Sequence, residues 1–148
     1  MKAVYLDMDG TFVDLYADPD WLAKLRAYDA SVYAKAKPKC NMSVLARTLK
    51  RLQKEGYTIG VISWLSKEPQ PIFDKAVTDA KIKWLKTHLR SVHFDEIHII
   101  AYGTPKSSVA KNQYGILIDD ELRNRQEWAN NGGCACDADY LIDMLLSL

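Results

Sequence analysis

Short apolar runs alternate along the chain with longer stretches in which apolar residues recur at helical spacing. Five of the runs predict strands, at residues 3–8, 58–63, 96–101, 115–119 and 134–137. The three in the middle are rich in β-branched residues and almost continuously apolar, which is typical of strands covered on both faces of a parallel sheet. The sequence therefore predicts a buried sheet of five strands.

Amphipathic patterns fill the segments between these runs. Their period of about 3.6 residues predicts helices at 42–53, 74–89, 121–130 and 139–148. Strand and helix thus alternate, as is typical of α/β proteins, in which helices connect parallel strands. We expect a three-layer α/β/α sandwich around a mostly parallel five-stranded sheet.

One helical pattern falls between the first strand and the first of these helices, over residues 18–37. Its apolar positions follow the i, i+4, i+7 spacing of a helix face: Trp21, Leu25, Tyr28 and Val32. Pro38 ends the pattern. We expect one domain of residues 1–148 that carries a small helical cap insertion at about 15–41, which is too short to form a second domain.

Composition and charge exclude several classes of protein. The chain of 148 residues is 48% hydrophobic and 26% charged, and its formal net charge of +1 gives no net attraction to nucleic acid or to an anionic membrane. No apolar run approaches the roughly 18 residues of a membrane helix, and the N-terminus lacks the pattern of a signal peptide. We therefore expect a cytoplasmic protein with neither membrane nor nucleic acid as its partner.

Two acidic residues follow the first apolar run, in the order Asp7-Met8-Asp9-Gly10-Thr11. A bend at Gly10 and Thr11 can bring both carboxylates beyond the tip of the strand, where α/β proteins bind ligands. Two carboxylates this close repel each other unless a cation joins them or one of them keeps its proton. The pattern therefore predicts a cation site or a catalytic pair of acids.

A second acidic pair, Asp119-Asp120, ends the fourth run. One interpretation is that the pair caps the helix that follows, where negative charge is favourable. The other is that it joins Asp7 and Asp9, so that up to four carboxylates meet at one place. Oxygen ligands of this kind suit Mg²⁺ and no soft metal.

Groups suited to a phosphoryl anion lie between the two acidic pairs. Ser63 ends the second run, and Lys106 follows a turn ahead of a short helical stretch. A hydroxyl and a lysine near four acids indicate a phosphate site, in which a phosphoryl group binds between the cation and the lysine.

These residues resemble the four ordered motifs of the haloacid dehalogenase (HAD) superfamily of phosphohydrolases, with Asp7 to Thr11, Ser63, Lys106 and Asp119-Asp120 in that order. A closer resemblance, mainly over residues 80–125, is to the 5'(3')-deoxyribonucleotidases and related phage and bacterial nucleotidases. It is carried by residues 83–89, 94–99, 104–106 and 117–120. The resemblance implies a Rossmann-like fold and hydrolysis of a small phosphate ester, with a (deoxy)nucleoside monophosphate as the expected substrate.

The resemblance also implies a role for each residue. Asp7 is the expected nucleophile, and Asp9 the expected general acid and base, with a pKa raised by its acidic surroundings. Ser63, Lys106 and Gly10 are expected to bind the phosphoryl group. Asp7, the backbone carbonyl of Asp9 and one of the pair Asp119 and Asp120 are expected to hold Mg²⁺, with the choice between these two left open.

Several features depart from the nucleotidase pattern or bear on the substrate. The cap insertion is smaller than in those enzymes, and Trp64 follows Ser63 where they place small hydroxyl residues. Trp64 is either a surface on which a base stacks or a core residue beneath the cap. Tyr16 and Trp21 either complete an aromatic pocket or pack the cap on the sheet. Arg123 and Arg125 are expected to be solvated or paired with acids.

Other functions remain open at this point. A receiver domain has a similar set of acids, hydroxyl and lysine, but its phosphoacceptor Asp ends the third strand, and here that run ends Ile100-Ala101-Tyr102. A phosphate-binding module without catalysis would keep the same residues. A HAD phosphatase could also act on a polynucleotide end, a sugar phosphate or a phosphoprotein, since a small cap leaves the site open.

Overall fold

A computed structural model describes residues 2–148 as alternating strands and helices. In chain order the elements are β1 (Ala3–Leu6), β2 (Val13–Asp14), α1 (Trp21–Arg26), α2 (Ser31–Lys35), β3 (Lys37–Pro38), α3 (Met42–Lys54), β4 (Thr58–Trp64), α4 (Pro71–His88), β5 (Glu96–Ile100), β6 (Ile116–Asp119), α5 (Leu122–Asn130), β7 (Cys134–Asp137) and α6 (Leu141–Ser147). No helix within this described part of the chain is long and apolar enough to cross a membrane.

The central sheet has five strands in the order β5-β4-β1-β6-β7, and every neighbouring pair is parallel. β1 lies in the middle, where Leu6 is in register with Val61 of β4 and with Ile118 of β6. The predicted α/β fold is confirmed, and the sheet is wholly parallel. As a result, the carboxyl ends of β1, β4 and β6 meet at one edge of the sheet.

Alternating residues of the strands build a core on each face of the sheet. On one face, Val4 and Leu6 pack in a cluster with residues of α3, α4 and α6, whereas on the other face Tyr5 packs with Trp128 of α5. Both faces are covered because side chains alternate along a strand and helices connect the parallel strands. This arrangement is the predicted three-layer sandwich.

The outer strands β5 and β7 are less buried than their apolar sequences predict. Ile97 of β5 is 41% exposed, and the first residue of β7, Cys134, is exposed as well. The expectation that the run at 96–101 is covered on both faces is therefore wrong, because β5 is an edge strand.

The segment expected as one helix over residues 18–37 is broken into α1 and α2. Tyr28 adopts a left-handed backbone conformation with φ of 54°, and the side chain of Asp29 accepts a hydrogen bond from the backbone N–H of Ser31. A local hydrogen bond of this kind competes with helical ones, which explains the break. A two-stranded antiparallel ladder of β2 and β3, not predicted from the sequence, closes the base of the segment.

The insertion (residues 15–41) packs mainly on α4. Leu15, Val32 and Tyr33 form a small cluster with Phe73 and Val77 of α4, separate from the clusters on the sheet. This contact holds the insertion beside the carboxyl edge of the sheet. That the chain is one domain with residues 15–41 as its cap remains a prediction.

Candidate active site

The turn after β1 positions the first acidic residues. The backbone N–H groups of Thr11 and Val13 donate to the carbonyl of Met8, and Gly10 has φ of +85°. A side chain at Gly10 is excluded on two grounds, because L-residues rarely adopt this φ and because a Cβ there would collide with the carboxylate of Asp120. Gly10, predicted to bind the phosphoryl group, thus lies against an acidic residue of the site.

Three carboxylates converge where β1 and β6 end. Oxygen atoms of Asp7, Asp119 and Asp120 lie within 4.8 Å of one another. The strands are held side by side there by a hydrogen bond of 2.9 Å from the backbone N–H of Asp7 to the carbonyl of Ile118. Pairing of β1 with β6 therefore brings together residues that are more than a hundred positions apart.

Lys106 lies among these acids and is 1% exposed. Its Nζ donates to Asp7 Oδ1 at 2.8 Å and to Asp119 Oδ2 at 2.7 Å. Burial alone lowers the pKa of a lysine, but the charges of Asp7 and Asp119 raise the pKa of Lys106 above its usual value. The ammonium group is therefore a fixed positive charge at the base of the site.

Asp119 and Asp120 differ in burial and in the number of hydrogen bonds that their carboxylate oxygens accept. Asp119 is fully buried, with Oδ2 accepting from Lys106 and from Asn124 Nδ2 and Oδ1 accepting from the backbone N–H of Glu121. Asp120 is only partly buried. Burial and the charges of Asp7 and Asp119 raise its pKa to about 8. Asp120 is thus a carboxylate whose ionised form a cation would stabilise, with fewer of its oxygen positions engaged than in Asp119.

The side chain of Asp9 is not a member of this carboxylate group among the described residues 2–148. Its Oδ2 lies instead 2.9 Å from Nζ of Lys81 on α4, an ion pair in which Lys81 is 1% exposed. Of the up to four carboxylates predicted to meet, three form the group and that of Asp9 is paired with a lysine beside it. The expected contact of the Asp9 backbone carbonyl with a metal remains a prediction.

Lys81 is a residue of the site that sequence reasoning missed. Its Nζ also donates to Ser63 Oγ at 2.7 Å and to the carbonyl oxygen of Trp64 at 2.7 Å, and it lies 5.0 Å from the centroid of the Tyr33 ring. One sequence signal was available. Lys81 stands four residues after Val77, on the apolar stripe of α4, where a solvated lysine does not belong.

The cavity at this edge of the sheet has a volume of about 290 Å³. The polar residues described above form the base of the cavity. Residues of the insertion form the opposite wall. The lining includes Asp7, Asp9, Ser63, Trp64, Lys106, Asp119 and Asp120, together with Tyr16, Trp21, Tyr33 and Tyr102. Every residue predicted for the site lines this cavity except Gly10, which lies behind Asp120.

Trp64 belongs to the cavity wall. Its Nε1 donates to the carbonyl of Thr104 at 2.9 Å, which fixes the indole, and its ring centroid lies 4.9 Å from that of Tyr102. Arg123 lies over the same indole, with Cζ 4.8 Å from the ring centroid, and is 3.9 Å from Glu121. Arg125, in contrast, pairs with Asp137 at 3.1 Å and donates to the carbonyl of Asp119. Both arginines are thus paired with acids as expected, while Arg123 also covers part of Trp64.

The carboxylate group fits a magnesium ion by the chemistry of its donors. Asp7 and Asp120 offer oxygen atoms that face the cavity, and Mg²⁺ is bound in proteins by one or two carboxylates together with water and phosphate oxygens. Among the described residues, no cysteine, histidine or methionine lines the cavity. The site can therefore accommodate a hard divalent cation beside a phosphoryl group.

No protein-family model matches the sequence, and no curated protein matches it. Solved structures do match. A D,D-heptose 1,7-bisphosphate phosphatase from Burkholderia thailandensis is 17% identical with a TM-score of 0.64, over 99% of this chain and 97% of that one. A HAD family enzyme from Bacteroides thetaiotaomicron, in complex with magnesium and inorganic phosphate, is 11% identical with a TM-score of 0.55, over 93% of each chain.

The fold is that of the HAD enzymes. A second D,D-heptose 1,7-bisphosphate phosphatase, from B. bronchiseptica and complexed with magnesium and phosphate, covers 99% of both chains at 16% identity and a TM-score of 0.56. The likeness extends over nearly the whole chain, insertion included. At this level of identity it establishes the HAD fold, whereas the activity has to be argued from the side chains of the site.

Proposed function

We propose that this protein is a Mg²⁺-dependent phosphatase that hydrolyses a phosphomonoester. The observation that carries the proposal is the position of Lys106, which joins Asp7 to Asp119 at the base of a cavity that also holds Asp120. One lysine cannot neutralise three carboxylates, so the site favours a further cation. A cation and a lysine together bind a dianionic phosphoryl group.

In the proposed reaction, Asp7 attacks the phosphorus atom and the ester P–O bond breaks, which leaves an aspartyl-phosphate. Asp9 gives a proton to the departing oxygen. It then takes a proton from the water that attacks the aspartyl-phosphate, so that inorganic phosphate leaves and Asp7 is restored. Ser63 and Lys106 bind the phosphoryl oxygens, and Thr11 donates to Asp7 Oδ2 at 3.2 Å and keeps the nucleophile oriented.

We propose that Asp7, Asp120 and the backbone carbonyl of Asp9 hold the magnesium ion. Asp119 instead anchors Lys106, since both of its oxygens already accept hydrogen bonds. When bound, Mg²⁺ supplies positive charge that offsets the negative charge of the phosphoryl group. The residues of the chain orient that group and move the protons.

A (deoxy)nucleoside monophosphate is the substrate that we propose, with residues 15–41 as the cap. Support comes from the aromatic wall, where Trp64 is held by a hydrogen bond and Tyr16 meets Trp21 edge to face at 5.0 Å. Rings of this kind stack on a base. Sugar phosphates, polynucleotide ends and phosphoproteins remain alternatives, and two of the similar structures are phosphatases of a sugar bisphosphate.

Phosphate release separates these substrates. We would offer nucleoside monophosphates, sugar phosphates including a bisphosphate, a 3'-phosphorylated oligonucleotide and p-nitrophenyl phosphate, each with Mg²⁺ and with EDTA. Preference for one or two monophosphates, lost in EDTA, supports the nucleotidase proposal. Preference for a sugar phosphate moves the substrate to that class, and no release from any of them leaves a phosphate-binding module.

The nucleophile is tested by Asp7→Asn, which removes the attacking oxygen anion and keeps the size of the side chain. We expect turnover with Mg²⁺ to fall by roughly 10³-fold or more, as is usual for the loss of a nucleophile. The matched control is Asp79→Asn on the exposed face of α4, which should leave turnover unchanged. Full Mg²⁺-dependent turnover by folded Asp7→Asn protein would refute the mechanism.

A further inference from the structure

Lys81 is the most deeply buried cation near the cavity that the proposed reaction does not yet use. It projects from the middle of α4 and reaches three oxygen atoms, Oγ of Ser63, Oδ2 of Asp9 and the carbonyl oxygen of Trp64, at 2.7, 2.9 and 2.7 Å. Burial of an ammonium group is costly unless it is paired, and here Nζ makes two hydrogen bonds and an ion pair.

The contact with Ser63 determines what the serine hydroxyl can do. An ammonium group only donates, so Ser63 must accept from Lys81, and its own proton is left for another acceptor. Ser63 is 1% exposed and lines the cavity. Under the proposed function, a phosphoryl oxygen in the cavity supplies that acceptor. Lys81 thereby turns Ser63 into a hydrogen-bond donor for the substrate.

The contact with Asp9 fixes the other reacting side chain. Lys81 holds Oδ2 of Asp9, which leaves Oδ1 for the leaving oxygen or the attacking water. Within residues 2–148, the turn around Gly10 contributes no side-chain hydrogen bond or ion pair to the Asp9 carboxylate, and Lys81 is its one ionic partner. Lys81 holds this carboxylate from α4, against the sheet.

We propose that Lys81 is a positioning residue that aims the Asp9 carboxyl group and the Ser63 hydroxyl at the substrate. This inference rests on the proposed phosphatase function, and it assigns a role to a residue outside the four motifs. It also explains why a lysine stands on the apolar stripe of α4, between Val77 and Trp84. The alternative is that Lys81 only stabilises the packing of α4 on the sheet.

Two aryl phosphates of nearly the same shape distinguish these roles. The leaving group of p-nitrophenyl phosphate departs without a proton, whereas that of phenyl phosphate needs one from a well-placed acid. In Lys81→Met, which keeps the length of the side chain, we expect kcat/KM to fall about 100-fold on phenyl phosphate and tenfold or less on p-nitrophenyl phosphate. The inhibition constant of inorganic phosphate should rise as well, because the hydroxyl of Ser63 is then no longer held as a donor toward the cavity.

A second readout follows the aspartyl-phosphate. If Asp9 no longer orients the attacking water, the intermediate should accumulate, and Lys81→Met should release a burst of one equivalent of p-nitrophenol before a slow steady state. Lys83→Met is the matched control, since it makes the same change on the exposed face of the same helix. Lys81→Gln keeps an N–H donor, so its kcat/KM on phenyl phosphate should lie between those of Lys81→Met and the wild type. If Lys81→Met does not fold, Lys81→Gln is the variant used for the test.

The outcomes separate this inference from the proposed function. The role of Lys81 would be overturned if Lys81→Met lost kcat/KM equally on both aryl phosphates and showed no burst. It would also be overturned if Lys81→Met had the same kinetics as Lys83→Met. In either case the phosphatase function would stand. Absence of turnover by the wild-type protein on every substrate would overturn both.

Discussion

At the scale of single residues, Gly10 carries two constraints that can be measured separately. Its φ of +85° strains any L-residue, and a Cβ there would meet the carboxylate of Asp120. We expect Gly10→Ala to lower the free energy of unfolding by about 1–3 kcal/mol, the range for such backbone strain. Because Asp120 must also move, we expect Mg²⁺ affinity and phosphate release to fall at least tenfold.

Gly56 offers a matched control for this prediction. Its φ is +93°, but a Cβ at this position would have no neighbour within 4 Å. Gly56→Ala should therefore lose a similar amount of stability in urea and keep its affinity for Mg²⁺, measured by calorimetry. Equal Mg²⁺ affinity in the two variants would show that Asp120 is not displaced.

Most residues of the site could be predicted because each has a local sequence signal. Asp7, Ser63 and Asp119 end apolar runs, and a parallel sheet brings such ends together whatever their distance along the chain. Lys81 has no such signal beyond its place on an apolar stripe, since its partners lie on β4 and in the turn after β1. The pairing of Asp9 with a lysine could not be predicted for the same reason.

At the scale of elements, a separate apolar cluster joins the insertion to α4. Phe73 of α4 lies in the small cluster with Val32 and Tyr33, and its ring is 5.6 Å from that of Tyr28. We expect Phe73→Ala to remove about 3 kcal/mol of packing energy. Since this cluster is separate from the clusters on the sheet, hydrogen exchange should quicken by tenfold or more in α1 and α2 and stay unchanged in β1 and β4.

The comparison variant is Leu49→Ala on α3, a fully buried residue of the main cluster. It should quicken exchange throughout the sheet, because the core unfolds as a unit. If Phe73→Ala quickens exchange in the sheet as much as in the insertion, the insertion is not an independent unit. This outcome would count against residues 15–41 as a cap distinct from the rest of the domain.

Helix and strand positions were predictable only where periodicity and burial agree. Trp21, Leu25, Tyr28 and Val32 keep the spacing of one continuous helix, yet Tyr28 leaves the helical region and α2 begins anew. The hydrogen bond between Asp29 and Ser31 that breaks the helix is local, but nothing in apolar spacing reports it. The short ladder of β2 and β3 could not be predicted from periodicity either, because a strand of two residues is too short to show an alternating pattern.

At the scale of the whole molecule, the unneutralised acids of the site make stability depend on pH. Burial and its acidic neighbours raise the pKa of Asp120 to about 8 in the fold, against 3.8 for a free side chain. The folded protein therefore binds a proton that the unfolded chain has released between these values. Since stability falls with pH wherever the folded state binds more protons, the metal-free protein should lose stability as pH rises from about 5 to 8.

Asp119 contributes in the same direction, because burial and the charge of Asp7 raise its pKa as well. The pKa of Lys106 is raised above 10.5 and those of Asp18, Asp29 and Glu96 are lowered, so these four groups titrate outside the interval. In EDTA, the melting temperature should therefore fall between pH 5 and pH 8, and Asp120→Asn should flatten this slope. Bound Mg²⁺ favours the ionised carboxylate, so added Mg²⁺ should raise the melting temperature more at pH 8 than at pH 5. If the melting temperature falls equally with pH in the wild type and in Asp120→Asn, the group responsible lies elsewhere in the protein. Asp120 would then no longer be supported as a ligand of the cation.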